Sequence, residues 1–352
     1  MRICLCSIVV PFSHGGAEIL DASLEHELRA RGFQIERIVL PFSWHTRLDI
    51  LNSAMAWRFL ELKSAAGEEI DLVISTRFPS YLIRHPNKVV WLFHQLRQAY
   101  DLQGTRYGFP NHGVEDASFI DMVRDMDARG LGEARALWSI SDNVAERLRR
   151  FNSLEAKTLY PPLRSDVDHR AGEFGDYIFT VGRLDPLKRN DLLVEALALT
   201  RNPIRAVIAG AGPEHDRLSA LIQEHNLEQR VDLVGWIDDQ RLCELYAGCC
   251  GVFYAPYDED YGYVTIEAFR SEKPVVTSRD SGGVLEFVAD GETGIVADSP
   301  SPKVIADGLD TLFEDRHRAR TMGQEGRRRV EKITWDGVIT KLTGRRSADS
   351  LP

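Results

Sequence analysis

Short apolar runs alternate with amphipathic stretches along this chain, and the alternation restricts its fold more than any other feature. Residues 3–10 form an apolar run typical of a buried strand, and residues 17–31 place Ile19, Leu20, Leu24 and Leu28 at helical spacing before Gly32. Further strands are predicted at residues 34–40, 72–75, 88–93 and 136–140, and further helices at residues 50–65 and after Ser141. This βαβα order predicts a parallel sheet with helices on both faces.

The rhythm breaks at Pro161-Pro162 and restarts at Tyr177. A length of 352 residues fits two domains of ordinary size. We therefore predict an N-terminal domain over residues 1–165 and a second α/β domain over residues 166–330. Residues 331–352 are predicted to form a helix and tail that pack back on the N-terminal domain. Because ligands of such sheets bind at the carboxyl ends of the strands, the natural site is a cleft between the two domains.

Composition and cysteine usage indicate a soluble protein. Hydrophobic residues make up 43% of the chain and charged residues 27%, and no apolar run reaches the length of a membrane span. The apolar start is interpreted as a strand because Pro11 follows where a signal peptide would have a small-residue cleavage site. Five cysteines without a Cys-x-x-Cys pair predict buried thiols in a reducing compartment, so we expect a cytoplasmic protein.

The net charge of −10 is unevenly distributed. Residues 1–165 carry 20 basic and 20 acidic side chains, and the remainder carries 23 basic and 33 acidic side chains. A nucleic-acid-binding protein usually has a basic excess, so nucleic acid is not an expected partner. Basic patches such as Arg147-Leu-Arg-Arg150 are consistent with solvated helix ends, or with weak peripheral contact between the N-terminal domain and the inner face of a membrane.

Two cations stand in a loop between a predicted strand and a predicted helix, in the stretch Val181–Arg189. At the carboxyl end of a strand, Arg183 and Lys188 can neutralise a diphosphate both in the ground state and as a leaving group. The alternative is a surface loop with solvated charges.

Two carboxylates eight residues apart, Glu259 and Glu267, bracket Gly262 where a loop enters a helix. Backbone N–H groups of Tyr263 and Val264, at the start of that helix, suit a phosphate. Glu267 can then accept hydrogen bonds from ribose hydroxyls, and Glu259 from sugar hydroxyls on the other side of the phosphate. A nucleotide-sugar has this layout. Singly, Glu259 also fits a solvated acidic loop, and Glu267 a helix stabilised by its dipole.

Other strand ends give weaker signals. Gly210-Ala-Gly-Pro213 is a glycine-rich turn that lacks the third glycine of a dinucleotide fingerprint, which argues against a dehydrogenase. His94 follows a strand and is either a site residue or a hydrogen-bonded structural histidine. Gly15 and Gly16 precede a helix and can face the cleft from the N-terminal domain.

With these motifs the chain resembles a family 4 retaining glycosyltransferase of the GT-B fold, glycosyl transferases group 1, which has two Rossmann-like domains facing across a cleft. The resemblance rests on Val181-Gly-Arg183, Lys188, Gly210-Ala-Gly-Pro213, Val234-Gly-Trp236, Glu259 with Glu267, Ser281-Gly-Gly283 with Glu286, Gly15-Gly16-Ala17-Glu18, and Ser139-Ile-Ser141 before Tyr160-Pro-Pro162. It is looser between residues 40 and 130, where such enzymes recognise the acceptor. Tyr261 and Tyr263 depart from the commoner Phe and Leu.

The resemblance implies a role for each site residue. By this resemblance, Arg183 and Lys188 are expected to hold the donor diphosphate. Glu259 is expected to orient the transferred sugar, and Glu267 to bind the ribose. Backbone groups after Gly235, at Trp236, hold the base, and Gly262, Tyr263 and Val264 receive phosphate. Gly15 and Gly16 approach the donor, and His94 lies near the transferred sugar.

The activity implied is transfer of a hexose-type sugar from a nucleoside-diphosphate sugar to a saccharide or lipid-linked acceptor, in cell-surface polysaccharide synthesis. No metal or other cofactor is expected, since no Asp-x-Asp stands in a suitable setting. Two alternatives stay open: a nucleotide-sugar epimerase on the same fold, and a non-catalytic nucleotide-sugar-binding protein.

Overall fold

The computed structural model describes residues 1–12, 15–63, 67–109 and 114–345, with side chains given from residue 117 onward in the last range. The chain separates into two compact units. Unit 1 contains residues 1–162 together with the C-terminal segment that begins at Ile333, and unit 2 is Leu163–Lys332. The division falls at the Pro161-Pro162 break. Residues 346–352, part of the predicted tail, lie outside the described ranges.

Unit 1 is a parallel six-stranded sheet with helices between its strands. Its strands are β1 (Arg2–Val9), β2 (Gln34–Pro41), β3 (Leu72–Arg77), β4 (Lys88–His94), β5 (Ala136–Ser139) and β6 (Lys157–Thr158). Its helices are α1 (Gly16–Ala30), α2 (Arg47–Phe59), α3 (Val114–Gly132), α4 (Asp142–Asn152) and, from the C-terminal segment, α11 (Trp335–Thr343). The strand order is β2-β1-β3-β4-β5-β6.

Unit 2 repeats this plan with a second parallel six-stranded sheet in the order β12-β11-β10-β7-β8-β9. The strands are β7 (Tyr177–Val181), β8 (Arg205–Ala209), β9 (Val231–Gly235), β10 (Gly251–Phe253), β11 (Val275–Ser278) and β12 (Gly294–Ala297). The helices are α5 (Asn190–Leu199), α6 (His215–Glu224), α7 (Asp239–Gly248), α8 (Tyr263–Arg270), α9 (Pro302–Glu314) and α10 (Arg316–Val330). The predicted α/β class with two parallel sheets is therefore confirmed.

Capping residues explain several helix boundaries. The Ser141 hydroxyl accepts from the Val144 N–H at 3.0 Å and starts α4, as the sequence predicts. Helix α2 begins earlier than the predicted residue 50, because Thr46 and Asp49 form a reciprocal capping box with both bonds at 3.1 Å. It ends at Phe59 and not at residue 65.

The longest helix of the described chain, α3, is one that the apolar pattern does not predict. It contains Asp121, Asp125 and Asp127 among its 19 residues, so its apolar stripe is broken. Helices α9 and α10 and strand β12 are also absent from the prediction. None of the described helices is long and apolar enough to cross a membrane.

Backbone packs directly on backbone where the loops after β7 and β8 meet. The Gly182 N–H donates to the Ala209 carbonyl at 3.1 Å, and the Gly210 N–H donates to the Gly235 carbonyl at 2.7 Å. A Cβ atom on Gly210 would lie 1.8 Å from the Gly182 carbonyl oxygen, and the φ of Gly210 is +127°. Glycine at position 210 is thus required by close contact as well as by conformation.

We predict that Gly210→Ala lowers the free energy of unfolding of unit 2 by at least about 2 kcal/mol, because the added methyl forces two loops apart. Urea denaturation followed by fluorescence measures the effect. Gly132→Ala is the control, since nothing lies within 4 Å of its Cβ position, and we expect a change within about 0.5 kcal/mol. Equal stability of the two variants would contradict the assignment.

Candidate active site

Three loops of unit 2 meet at the carboxyl edge of its sheet. The loop after β10 is joined to the loop after β7 by the Tyr257 N–H, which donates to the Leu187 carbonyl at 2.8 Å. It is joined to the loop after β11 by the Asp258 N–H, which donates to the Asp280 carbonyl at 2.8 Å. These three loops contain Arg183, Lys188, Glu259 and the Ser281-Gly-Gly283 turn, so the structure gathers these residues on one edge of the sheet.

The acidic loop pairs with the glycine turn that follows β11. The Gly283 N–H donates to the Glu259 carbonyl at 2.7 Å, and the Glu259 N–H donates to the Ser281 carbonyl at 3.2 Å. A Cβ on Gly283 would lie 2.5 Å from the Asp260 carbonyl oxygen. The sequence predicts that this turn exposes backbone donors. In the structure the Gly283 N–H is instead used to hold Glu259 in place, because the two loops run side by side.

A buried arginine, Arg189, ties the same loops together through its side chain. Its Nη1 and Nη2 each donate to one carboxylate oxygen of Asp280 at 2.8 Å. Its Nε donates to the Ala255 carbonyl at 2.8 Å, and Nη2 also reaches the Pro256 carbonyl at 2.8 Å and the Ser278 hydroxyl at 3.0 Å. The backbone of Arg189 is left-handed, with φ of +51°. One side chain therefore fixes the loops after β7, β10 and β11.

The two charges predicted for the donor site contact each other. Lys188 Nζ lies 2.5 Å from Glu259 Oε2 and donates to the Tyr254 hydroxyl at 3.2 Å. Burial alone would lower the pKa of Lys188, but the charge of Glu259 and the Tyr254 hydroxyl raise it above its usual value. Lys188 is thus a fixed cation at neutral pH.

Gly262 permits helix α8 to begin against this pair. Its φ is +85°, and a Cβ there would lie 2.8 Å from the Tyr254 ring and 3.1 Å from Val284 Cγ2. The Thr265 N–H donates to the Gly262 carbonyl at 3.0 Å and closes the first turn. The positive end of α8 therefore lies at Tyr263 and Val264, beside the loop that carries Glu259.

Glu267 lies in the second turn of α8 and is half-buried. Its Oε2 accepts from the Tyr246 hydroxyl at 2.7 Å. Burial raises the pKa of Glu267, and the Tyr246 hydrogen bond opposes that rise.

Arg183 is placed on the same loop as Lys188 but is much more exposed. Its Nε donates to Asp185 Oδ2 at 2.9 Å, and its side chain is 55% exposed. Asp185 also accepts from the Leu187 N–H at 3.0 Å, so it orders the loop. Arg183 must leave or share this partner to meet a ligand.

The predicted base-binding residues follow β9 at the same sheet edge. Gly235 has φ of +68°, and the Trp236 side chain is 79% exposed. An exposed indole directly after a strand is a surface on which a flat base can stack.

The remaining predicted residues belong to unit 1. His94 ends β4, and its Nδ1 lies 3.0 Å from the Gln95 carbonyl oxygen. Because a carbonyl only accepts, Nδ1 carries the proton. Gly15 caps α1 with extended backbone and Gly16 is its first residue. Their predicted contacts with the donor stay predictions.

Four side chains of the site escaped the sequence reasoning: Arg189, Asp280, Tyr246 and Tyr254. Arg189 stands next to Lys188 in a motif that was recognised, and Asp280 directly precedes the Ser281 turn. Their adjacency to recognised motifs was the available signal. Tyr246 and Tyr254 carried none, because their role depends on contacts far apart in sequence.

Within the described parts of the chain, no group of three or more His, Cys, Asp or Glu side chains is arranged to hold a metal ion. Glu259 contacts a cation, Lys188, and Glu267 accepts from a hydroxyl, that of Tyr246.

We predict that Arg189→Met lowers the free energy of unfolding of unit 2 by about 2 to 4 kcal/mol at pH 7, since Asp280 and two carbonyls lose a buried partner. Burial would raise the pKa of Asp280, but Arg189 lowers it below its usual value. This stabilisation is therefore present at neutral pH and is lost as the pH falls below about 4.

Arg183→Met is the matched control, because its ion pair is exposed and should cost less than about 0.5 kcal/mol. Denaturant unfolding of both variants at neutral and acidic pH measures the difference. If the difference in free energy of unfolding between Arg189→Met and wild type is as large in acid as at pH 7, Asp280 is not the partner that makes Arg189 stabilising.

Unit 2 is similar to a known protein family. Residues 166–329 match the family model described as glycosyl transferases group 1. The D-inositol 3-phosphate glycosyltransferase of Corynebacterium glutamicum (strain R) is 31% identical over 172 residues, which cover 46% of this chain and 41% of the relative. The chain spans less than half the length of the first curated relatives that it matches.

Two solved structures are similar over nearly the whole chain. Sucrose-phosphate synthase from Thermosynechococcus elongatus has a TM-score of 0.76 at 20% identity and covers 97% of each chain. HepE from Anabaena, in complex with UDP-glucose, has a TM-score of 0.70 at 18% identity and covers 98% of each chain. At such identities the likeness shows the fold, and the predicted GT-B fold is confirmed.

The predicted resemblance is thereby confirmed at the level of the glycosyltransferase family model, while family 4 itself stays a prediction. The match to the glycosyl transferases group 1 family model covers residues 166–329, a little under half of this chain.

Proposed function

We propose that the protein is a glycosyltransferase that moves a hexose-type sugar from a nucleoside-diphosphate sugar to a saccharide or lipid-linked acceptor. The observation that carries the proposal is the contact between Lys188 and Glu259 beside the N-terminus of α8. It puts a fixed cation, a carboxylate and the positive end of a helix within one loop cluster. The family match of residues 166–329 supports the same activity.

The diphosphate is proposed to bind at Lys188 and Arg183, with backbone N–H groups at the start of α8. Both side chains carry positive charge at neutral pH, and the helix end adds a partial positive charge. As the nucleoside diphosphate departs, negative charge grows on its terminal phosphate. Preorganised cations stabilise that charge most when water is excluded.

The two carboxylates are proposed to bind the two ends of the donor. Glu259 accepts from hydroxyls of the transferred sugar, and Glu267 accepts from the ribose. The base lies against Trp236 and the backbone that follows Gly235. The UDP-glucose complex of the similar HepE structure supports a nucleotide-sugar as the ligand class.

No described side chain of the cluster stands out as a covalent nucleophile, so we propose a front-face displacement with retention of configuration. The bond from the anomeric carbon to the diphosphate oxygen breaks, and the acceptor hydroxyl oxygen bonds to the same face. The acceptor proton passes to the departing phosphate oxygen, which becomes more basic as it leaves.

The remaining predictions belong to the proposal and follow from the resemblance. They are a part for Gly15, Gly16 and His94 at the donor, metal independence with no other cofactor, a role in cell-surface polysaccharide synthesis, and a cytoplasmic location with weak contact to the inner face of the membrane.

The first experiment is a thermal-shift panel of UDP-, GDP- and ADP-sugars. A donor at about 100 times its Kd should stabilise the protein by about 2.7 kcal/mol. The best donor is then incubated alone and with saccharide acceptors, and products are followed by mass spectrometry and NMR. Isomerised sugar from donor alone would support an epimerase instead, and binding without any product would support a non-catalytic protein.

We predict that Lys188→Ala lowers kcat/KM for transfer by about 10²- to 10³-fold, because the leaving phosphate loses its half-buried cation. Lys303→Ala is the control: Lys303 is an exposed lysine of the same unit, paired with Asp307 at 2.7 Å, and its loss should leave the rate within about twofold. A folded Lys188→Ala protein with full activity would refute the proposed phosphate site.

A further inference from the structure

The Glu267 carboxylate has one partner that the family match does not explain. Tyr246 on α7 is fully buried, and its hydroxyl donates to Glu267 Oε2 at 2.7 Å. In the ranges that the structure describes, no other group donates to this carboxylate within hydrogen-bond distance. Glu267 Oε1 is left to accept from a ligand.

The Tyr246 hydroxyl is held by the core and not by solvent. Its ring meets Phe179 of β7 edge-on, with centroids 4.9 Å apart, and meets the His169 ring with centroids 5.6 Å apart. The hydroxyl therefore has one position, and it imposes that position on Oε2. A carboxylate fixed at one oxygen loses less conformational freedom when the other oxygen binds a ligand.

We propose that Tyr246 is a positioning residue for ribose recognition, holding Oε2 of Glu267 so that Oε1 accepts from the ribose hydroxyls of a nucleoside diphosphate. The inference rests on the proposed function, from which it takes Glu267 as the ribose-binding carboxylate.

The charge state of Glu267 gives the inference a signature that packing alone does not have. An ionised carboxylate accepts strong hydrogen bonds at both oxygens, from the Tyr246 hydroxyl and from the ribose. A protonated carboxyl group accepts them poorly. Burial raises the pKa of Glu267, the Tyr246 hydrogen bond lowers it, Asp239 raises it, and Arg164 lowers it. Cys243 on α7 also lies near this carboxylate, and its own pKa is raised chiefly by burial.

Without the Tyr246 hydroxyl, only Arg164 opposes the increase in the pKa of Glu267 that burial and Asp239 cause. The pKa of Glu267 then rises further, and the carboxylate is protonated at a higher pH. Ribose binding that requires the ionised form should weaken in acid sooner than in the wild type.

The test compares Tyr246→Phe with Tyr177→Phe. Both changes keep the ring and remove one hydroxyl that donates a hydrogen bond. The Tyr177 hydroxyl donates to the Leu245 carbonyl at 2.8 Å and does not touch Glu267. Calorimetry gives the Kd of UDP, GDP and ADP, and of the 2′-deoxy analogue of the tightest binder, from about pH 5 to pH 9.

We expect Tyr246→Phe to weaken nucleotide binding by about 3- to 10-fold at neutral pH. It should also reduce the preference for the ribonucleotide over its 2′-deoxy analogue, and move the acid limb of binding to higher pH. Tyr177→Phe should leave the preference and the pH profile as in the wild type.

A double variant guards against a general loss of structure. If Tyr246 acts through Glu267, adding Tyr246→Phe to Glu267→Gln should cost less than it does in the wild type. Full additivity in the double variant would overturn the inference.

The outcomes separate the inference from the proposed function. If wild type binds none of UDP, GDP and ADP, or if Glu267→Gln leaves the ribose preference intact, the proposed donor site fails and the inference fails with it. If Glu267→Gln abolishes the preference while Tyr246→Phe behaves like Tyr177→Phe, only the inference is overturned.

Discussion

The site of unit 2 depends on one guanidinium group. Arg189 carries a full charge in a buried position, and its donors are met by the Asp280 carboxylate, two carbonyls and a hydroxyl. A buried charge is tolerated only when it is paired and hydrogen-bonded in this way. Since those acceptors come from different loops, the hydrogen bonds of one cation hold the loops of the sheet edge together.

Unit 1 uses the same device at its own sheet edge. Arg77, at the end of β3, pairs with Glu18 at 2.6 Å and with buried Asp21 at 3.2 Å, and donates to the Ile8 carbonyl at 2.9 Å. Glu18 also accepts from the Gly15 N–H at 2.9 Å. Through Glu18, the buried Arg77 thus connects Gly15, which caps α1, to the Ile8 carbonyl of β1. In both units, a buried arginine side chain holds the loops that are expected to bind ligands, and the arginine itself has no proposed ligand contact.

The sequence predicts what local chemistry determines. Alternating apolar runs predict both sheets, and Ser141 predicts the start of α4, because these signals lie within a few residues of the structure they produce. Lys188, Glu259 and Glu267 are recognisable because charge and glycine stand together in strand-end loops. Helix α3 is not recognisable, since Asp127 is a buried carboxyl that interrupts its apolar face and is met by Tyr100 at 2.7 Å only in the folded chain. Arg189 and Tyr246 are hidden for the same reason: each is defined by partners from distant segments.

The contact between Lys188 and Glu259 means that the protein itself supplies a counter-ion to the cation of the site. In the proposed reaction, the diphosphate of the donor therefore competes with Glu259 for Lys188. Inorganic pyrophosphate would offer Glu259 no new hydrogen-bond donor in exchange for Lys188, whereas a nucleotide-sugar offers it the hydroxyls of the sugar. The exchange of one anion for another would thus favour ligands that carry both a phosphate and a polyol, and it would weaken the competition from the simple phosphates that are abundant in a cell.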